Sequence, residues 1–388
     1  MSDEIKDFQA NIEKEAEEAK KRKELNSKEL VLRDRKATLE IDRITRVEEE
    51  LAKSKNTDYG KMSEGAITEL RRQNLEYIDA ARNGMKFIGP SFSGIVPYFR
   101  KNLLLMLAKT GDGKSTTAAN IVRETLRQIN PQTKKGRRVL VITNEERAED
   151  VYNRITCLSK GWAYVNHDKF TDEQKHTFDK WIPLLAENGR MNVIDNNYSG
   201  NHGVTTTIEG IEGIFDSLIQ NKEYYDVVII DYYQNIKHSK LNPHMTEYEV
   251  QARLANSLDR YKNEYPAPIV IFAQVLPPDK DKKVPVEHRI KGRKIITDPS
   301  TMIMEMVADR ANLRTEWIIH KSRFNEAVGS SFFTGYRKGA FVEYNQAFID
   351  EVHKNKIDRL YARSFAEQES GRPSIPLKDE KDENETPL

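Results

Sequence analysis

Cysteine is nearly absent: Cys157 is the single one among 388 residues. One thiol cannot close an intramolecular disulfide or build a cysteine-cluster metal site, and it fits a reducing, cytoplasmic compartment. Long apolar runs are missing too. No stretch approaches the ~18 residues that a membrane span requires, so no membrane partner is expected. The acidic, polar start Met1-Ser2-Asp3-Glu4 lacks the pattern of a secretory leader. An excess of either charge is lacking, since 62 basic residues against 61 acidic ones leave a net charge of +1. That balance gives no global field for a polyanion, so any nucleic-acid contact must come from local patches. No internal repeat is visible. Residues 1–55 contain neither glycine nor proline. They read as charged helix with apolar residues in patches (Ile5, Phe8 and Ile12, then Ile44, Val47 and Leu51), either solvated or partner-seeking.

What the chain does have is one strong motif. Ala108-Lys109-Thr110-Gly111-Asp112-Gly113-Lys114-Ser115-Thr116 fits the phosphate-binding pattern A/G-x-x-x-x-G-K-S/T. An apolar run, 102–108, reads as a buried strand before it, and 116–122 reads as a helix after it. Gly111 and Gly113 let backbone N–H groups close around phosphate oxygens, and the helix N-terminus adds its positive dipole end. Lys114 is placed to reach the β- and γ-phosphates, and Ser115 offers a hydroxyl to Mg²⁺. The expected ligands are ATP and Mg²⁺, with Ala108, Thr110, Asp112 and Thr116 completing the cradle.

Apolar, β-branched runs alternate with helical stretches from about 86 to 348. Strands are predicted at 102–108, 139–144, 191–195, 227–233, 268–274 and 317–321, which implies an α/β fold with a mostly parallel sheet covered on both faces. Three of these strands end in polar groups suited to the chemistry. Val227–Ile230 leads to Asp231, a carboxylate for the Mg²⁺ shell at the sheet's C-terminal edge, beside the phosphate loop. Val139–Thr143 leads to Asn144, Glu145 and Glu146. Glu145, with Glu146 as its substitute, is the candidate to orient and activate a water, and the alternative puts both glutamates in the first turn of a helix. Gln274 ends the run Ile269–Ala273, either as a γ-phosphate sensor or as a strand-end amide bonding backbone. Lys321-Ser322-Arg323, by itself, is a basic strand end. His238 and His244 are read as loop histidines, solvated or touching DNA, and His320 as structural.

Taken in order, these motifs resemble the RecA-type cores of hexameric replicative DNA helicases, the DnaB-like and phage primase-helicase group. The resemblance rests on the phosphate loop, Thr143-Asn144-Glu145-Glu146-Arg147, Ile230-Asp231-Tyr232-Tyr233-Gln234, Ala273-Gln274-Val275, Lys321-Ser322-Arg323-Phe324-Asn325 and Gly339–Asn345, and covers about 86–345. It implies a RecA-like P-loop ATPase core in a homo-oligomeric ring, usually a hexamer, with ATP between neighbours. It also implies Arg323 as an arginine finger reaching the neighbour's γ-phosphate, Lys321 beside it, and loops after Asp231 and Gln274 that grip single-stranded DNA. The implied activity is an ATP-dependent helicase of DNA replication, moving 5′ to 3′. The alternative is a nucleotide-gated DNA-binding, recombination or helicase-loading module that does not unwind. The loop 279–294 has a basic excess suited to phosphates, interleaved with acids and without aromatics, and a solvated loop is the competing reading.

The chain departs from that family in three places. Asp298–Ile303 carries no glycine where a Gly-Ser-Gly type stretch is common. Residues 1–85 hold no primase or zinc module. The segment from Glu326 to Lys338 reads as an insertion after Arg323. The expected organisation begins with a charged helical extension at 1–60. A linker segment at 61–85 follows, its helix running from about Ser63 to Arg82 and packing on a neighbour or within its own subunit. Then come an ATPase core at 86–348 and a C-terminal helix with a disordered acidic tail at 349–388. That tail is either solubilising or, like the N-terminal helix, a contact for replication proteins.

Overall fold

The computed structural model describes residues 64–83 and 102–355, together with Thr45, Met62 and Phe92 and apart from 132, 165–166, 201, 278–283, 291–293 and 324–326. The N-terminal extension expected over 1–60 and the acidic tail lie outside the described residues. The chain divides into two units near Leu75. Helix α1, Glu64–Asn83, falls within one residue of its predicted start and end. Its Ile67, Leu70 and Leu75 are exposed.

Nine strands form one sheet in the order β3-β2-β4-β5-β1-β6-β7-β8-β9. The strands are β1 Leu103–Ala108, β2 Val139–Thr143, β3 Met191–Ile194, β4 Val227–Asp231, β5 Ile269–Gln274, β6 Met302–Asp309, β7 Arg314–Ser322, β8 Ser331–Arg337 and β9 Ala340–Glu343. The first six in spatial order pair in parallel, and β6 to β9 pair antiparallel. Helices follow as α2 Lys114–Leu126, α3 Ala148–Lys160, α4 Asp172–Ala186, α5 Ile208–Gln220, α6 Glu247–Glu264 and the short α7 Val286–Arg289, with a last helix, α8, at 346–355.

Every residue of β1, β2 and β4 is buried, because helices cover both faces of the parallel part. Alternation along β1 assigns the two cores. Leu103, Leu105 and Leu107 join α5 and α6 in one, with Phe215, Leu254 and Tyr261. Leu104, Met106 and Ala108 join α2 and α3 in the other, with Ile121, Val122 and Ile155. Each fully buried Leu, Ile or Val side chain contributes about 1.5–3 kcal/mol, so the parallel sheet is the rigid platform of the molecule.

Two segments that depart from the family pattern contribute to the sheet. The glycine-free stretch 298–303 leads into it. Pro299 to Ile303 are buried, Thr301 donates N–H and Oγ1–H to the Leu103 carbonyl, and the chain runs on as β6 beside β1. Periodicity missed β6 because its acidic residues, Glu305 and Asp309, interrupt the apolar pattern. The segment read as an insertion supplies β8, which extends the sheet through β7. Predicted strand 227–233 also stops two residues early, at Asp231, where Tyr233 turns down into the core as part of a 3₁₀ turn, Tyr233–Asn235.

Candidate functional site

The parallel strands deliver their C-terminal ends to one edge of the sheet, where ligands of open α/β sheets bind. β1 opens there into the phosphate loop. Gly111 and Gly113 adopt φ of 86° and 99°, the left-handed region that only glycine enters without cost. Gly113 then caps α2 with no side-chain hydrogen bond, and the first turn of α2 carries no acid. By contrast, α4 and α6 fill their first-turn N–H groups with capping boxes, Thr171 with Gln174 and Thr246 with Glu249. The start of α2 thus keeps its N–H groups and positive dipole end for an anion.

Lys114 is buried, with its ammonium 5.5 Å from the Tyr232 ring centroid. Ser115 Oγ donates to Asp231 Oδ2 at 3.0 Å. Asp231 is 3% exposed, and its Oδ1 has no hydrogen-bond partner among the described residues. Burial raises its carboxyl from 3.8 to about 7. Ser115 and Lys114 act against that rise, and Glu146 and Glu145 add to it. A buried, unpaired carboxylate oxygen beside a serine hydroxyl is an all-oxygen donor set that suits Mg²⁺. The two groups are not on adjacent strands, since β5 lies between β1 and β4. Asp231 meets the phosphate loop across β5, through the first turn of α2.

Asn144, which carried no role in the sequence reading, fixes Asp231 in place. Its backbone N–H donates to the Asp231 carbonyl at 3.0 Å, its Oδ1 accepts from Tyr232 N–H at 3.0 Å, and its Nδ2 donates to Tyr232 O at 2.9 Å. The two following glutamates sit in a turn ahead of α3, whose first turn instead holds Glu149 and Asp150. They are therefore not helix first-turn residues. Their surroundings separate them. Glu146 is half-buried and ion-paired with Arg154, and burial pushes its carboxyl up against that pairing. Glu145 is exposed at the rim.

Gln274 ends β5 in register with Ala108. Gln234, a second residue without a predicted role, clamps it: Gln234 Nε2 donates to the Gln274 carbonyl at 3.0 Å, and Gln274 N–H donates to Gln234 Oε1 at 3.1 Å. The turn after Asp231 and the end of β5 are therefore tied together by two hydrogen bonds.

Arg323 lies elsewhere. Its N–H donates to the Thr301 carbonyl, and Thr301 N–H donates to Leu103 O, at the start of β1. The length of β1, roughly 17 Å at ~3.3 Å per residue, separates that edge from the phosphate loop. An exposed Arg323 cannot reach its own chain's phosphate site, so any such contact is with another copy. Lys321 is engaged locally, donating to the carbonyls of Thr297 at 2.7 Å and Asp298 at 3.2 Å, and burial lowers its ammonium. His238 and His244 are exposed on the loop after Asp231. His320 packs against Glu305 at 2.9 Å. In the basic loop, Arg289 is buried and paired with Glu305, so it is not open to a phosphate backbone.

A cavity of about 420 Å³ adjoins the phosphate loop on the β6–β7 side, bounded by Gly111–Gly113, Thr116, Arg310, Leu313, Tyr336 and Phe341. Arg310 Nη2 donates to the Gly111 carbonyl at 2.6 Å. Asn120 ties the far wall to α2, donating to Gly339 O at 2.8 Å and accepting from Phe341 N–H at 3.0 Å. No sequence motif marks Arg310, Leu313 or Tyr336, because they come from strands folded back onto the loop some 200 residues after it.

Residues 92–339, more than half of the chain, match the DnaB-like helicase C-terminal domain. Two solved structures share the fold. One, an ATPase domain, superposes with a TM-score of 0.56 at 15% identity, over 73% of this chain and all of that one. The other, a DnaB-like replicative helicase solved for its interactions with primase, superposes with a TM-score of 0.54 at 15% identity, over 78% of this chain and 71% of that one. No curated protein matches the sequence. The glycine-cradled helix start, the Ser115–Asp231 pair and the family match agree: the chain belongs to the DnaB-like helicase C-terminal domain family.

Proposed function

We propose that this chain is the motor of a ring-shaped DNA helicase, in which ATP hydrolysis between subunits moves single-stranded DNA during replication. The observation that carries the reading is the buried Asp231 carboxylate beside the start of α2: Oδ2 accepts from Ser115 Oγ and Oδ1 has no hydrogen-bond partner among the described residues, a donor set that suits a cation next to a phosphate. In this scheme Lys114 and the N–H groups after Gly113 would bind the phosphates, and Ser115 and Asp231 would hold Mg²⁺, which would supply charge neutralisation to the phosphates. Glu145 orients the attacking water, because Arg154 neutralises Glu146 and leaves Glu145 exposed, with no basic side chain paired to it among the described residues. Gln274 senses the γ-phosphate, and its clamp by Gln234 passes the signal to both neighbouring loops. The nucleoside lies in the cavity between Arg310 and Tyr336. Arg323 acts on the nucleotide of an adjacent subunit, which makes hydrolysis depend on ring closure.

A nucleotide-gated module that binds DNA without unwinding is the second reading. The observation in its favour is Lys321, whose ammonium is spent on its own chain's carbonyls. Forked-duplex unwinding separates the two. The helicase reading expects ATP-dependent strand separation that Lys114→Ala abolishes. Nucleotide-dependent DNA binding with no unwinding would select the second, and unwinding retained by Lys114→Ala would refute the phosphate-site assignment.

A further inference from the structure

A charged cluster is buried where the helicase reading has no use for it. Glu305, 3% exposed, lies in the middle of β6 beside Leu107, one residue before the phosphate loop begins. Arg289 grips it with both guanidinium nitrogens, Nη1 at 2.9 Å from Oε1 and Nη2 on Oε2. His320 Nε2 lies 2.9 Å from the same Oε2. A bulge adjoins the His320 contact. Across β6 and β7 the register steps from Ile303↔Lys321 to Met304↔Ile319, which leaves His320 unpaired. Ile319 packs with Met304 on one face of the sheet, and alternation puts His320 on the other, the face of Glu305.

The three residues come from three different elements: α7, β6 and β7. Arg289 ends α7 at the neck of the basic loop, which it closes twice over: its carbonyl accepts from Leu276 N–H at 2.8 Å, and its Nη1 donates to Leu276 O at 3.3 Å. Leu276 follows Gln274 by two residues. His320 precedes Arg323 by three on β7. Glu305 neighbours Met306, which packs on the opposite face of the sheet against Thr117 of α2, with its sulfur 3.4 Å from the hydroxyl. Burying such a cluster is no efficient way to stabilise a core, since apolar residues of similar volume do as well or better. A fixed alignment between the parts is what it supplies.

We infer that Arg289, Glu305 and His320 form a positioning cluster that couples the neck of the basic loop to the Arg323-bearing end of β7, so that single-stranded nucleic acid on the loop sets the arginine for hydrolysis. The inference rests on the helicase reading for its ligand, and on geometry alone for its linkage. None of the three residues lines the cavity beside the phosphate loop. Glu305 is held by two partners, so removing its charge disconnects loop and strand while leaving the phosphate loop as it is.

The test compares wild type, Glu305→Gln and the apolar pair Arg289→Met with Glu305→Leu, using oligo(dT), Mg²⁺ and ATP. Basal ATPase and the nucleotide KM stay within about twofold of wild type, and stimulation by oligo(dT) falls about tenfold. The apolar pair keeps its melting temperature and still loses stimulation, which a merely structural cluster would not do. Hydrogen exchange supplies a readout independent of turnover. In wild type, oligo(dT) slows exchange in both 286–290 and 314–323; in the variants it slows only 286–290. Basal and stimulated rates that fall together with stability would overturn the coupling, as would full stimulation in the apolar pair. Wild type that shows linked protection but no stimulated hydrolysis would keep the coupling and sink the helicase reading instead. Absence of linked protection in wild type sinks the coupling itself.

Discussion

Asp231 should cost the apoprotein stability, and Asp231→Asn should return it. A carboxyl whose pKa rises from 3.8 to about 7 on folding ionises in the folded state at an expense of about 4 kcal/mol. The direction follows from proton counting. Below the unfolded value both states hold the proton, and the site contributes nothing. Between the two values only the folded state holds it, so stability falls as pH rises. Above about 7 the full penalty stands. In Asp231→Asn the amide oxygen still accepts from Ser115 Oγ, and the amide NH₂ occupies the unpartnered Oδ1 position at a cost of about 1–3 kcal/mol. That cost does not vary with pH, so the difference between two pH values is the clean quantity. In chelator and without nucleotide, urea unfolding should show the gain from Asp231→Asn to be about 2–3 kcal/mol larger near pH 8 than near pH 5. Mg²⁺ with nucleotide should then stabilise wild type and leave the variant unmoved. A gain that is the same at both pH values would refute the reasoning, since it would mean that Asp231 is ionised at no cost and is not waiting for a cation.

Subunits carrying Arg323→Ala and subunits carrying Asp231→Asn should each be inactive alone. Mixed at equal amounts they should regain about a quarter of the wild-type ATPase, because that share of interfaces has one intact half from each; no recovery would argue against a contact in trans. Tyr336→Ala should raise the KM for ATP about tenfold with kcat little changed, the signature of lost uniform binding, and steady-state kinetics would show it. Gly210→Ala should destabilise the fold by more than about 2 kcal/mol, because the new Cβ would stand 1.9 Å from the Val204 carbonyl oxygen. Thermal unfolding reads that loss, and the ATPase per folded molecule should stay near wild type.

The phosphate loop was legible because its chemistry is local. Two glycines at positive φ, a lysine and a serine must follow one another to make the cradle, so a short window of sequence contains them. The placement of Asp231, Glu145 and Gln274 at one edge was legible for a related reason, as each stands at or just after the end of a buried strand, and a parallel sheet gathers such ends at one edge. Asn144 and Gln234 stand in the same windows and were passed over. Their work is to bond backbone on another strand, and nothing in the local pattern says which strand that is.

β6 escaped notice because a strand carrying Glu305 in its middle breaks the apolar run, and only the partners Arg289 and His320 make that carboxylate tolerable in the core. Sequence by itself thus determined that the chain carries a phosphate-loop motif between a buried strand and a helix of an α/β sheet, along with the order of the residues around it. Tertiary structure decided the rest: that β5 intervenes between the phosphate loop and Asp231, that Arg310 and Tyr336 wall the cavity, that Arg289 is buried, and that Arg323 sits at the far edge from its own chain's site. The physical reason is range. A motif written within ten residues needs only local backbone geometry, whereas pairs separated by up to about 200 residues acquire meaning only once hydrophobic burial has fixed which strands are neighbours.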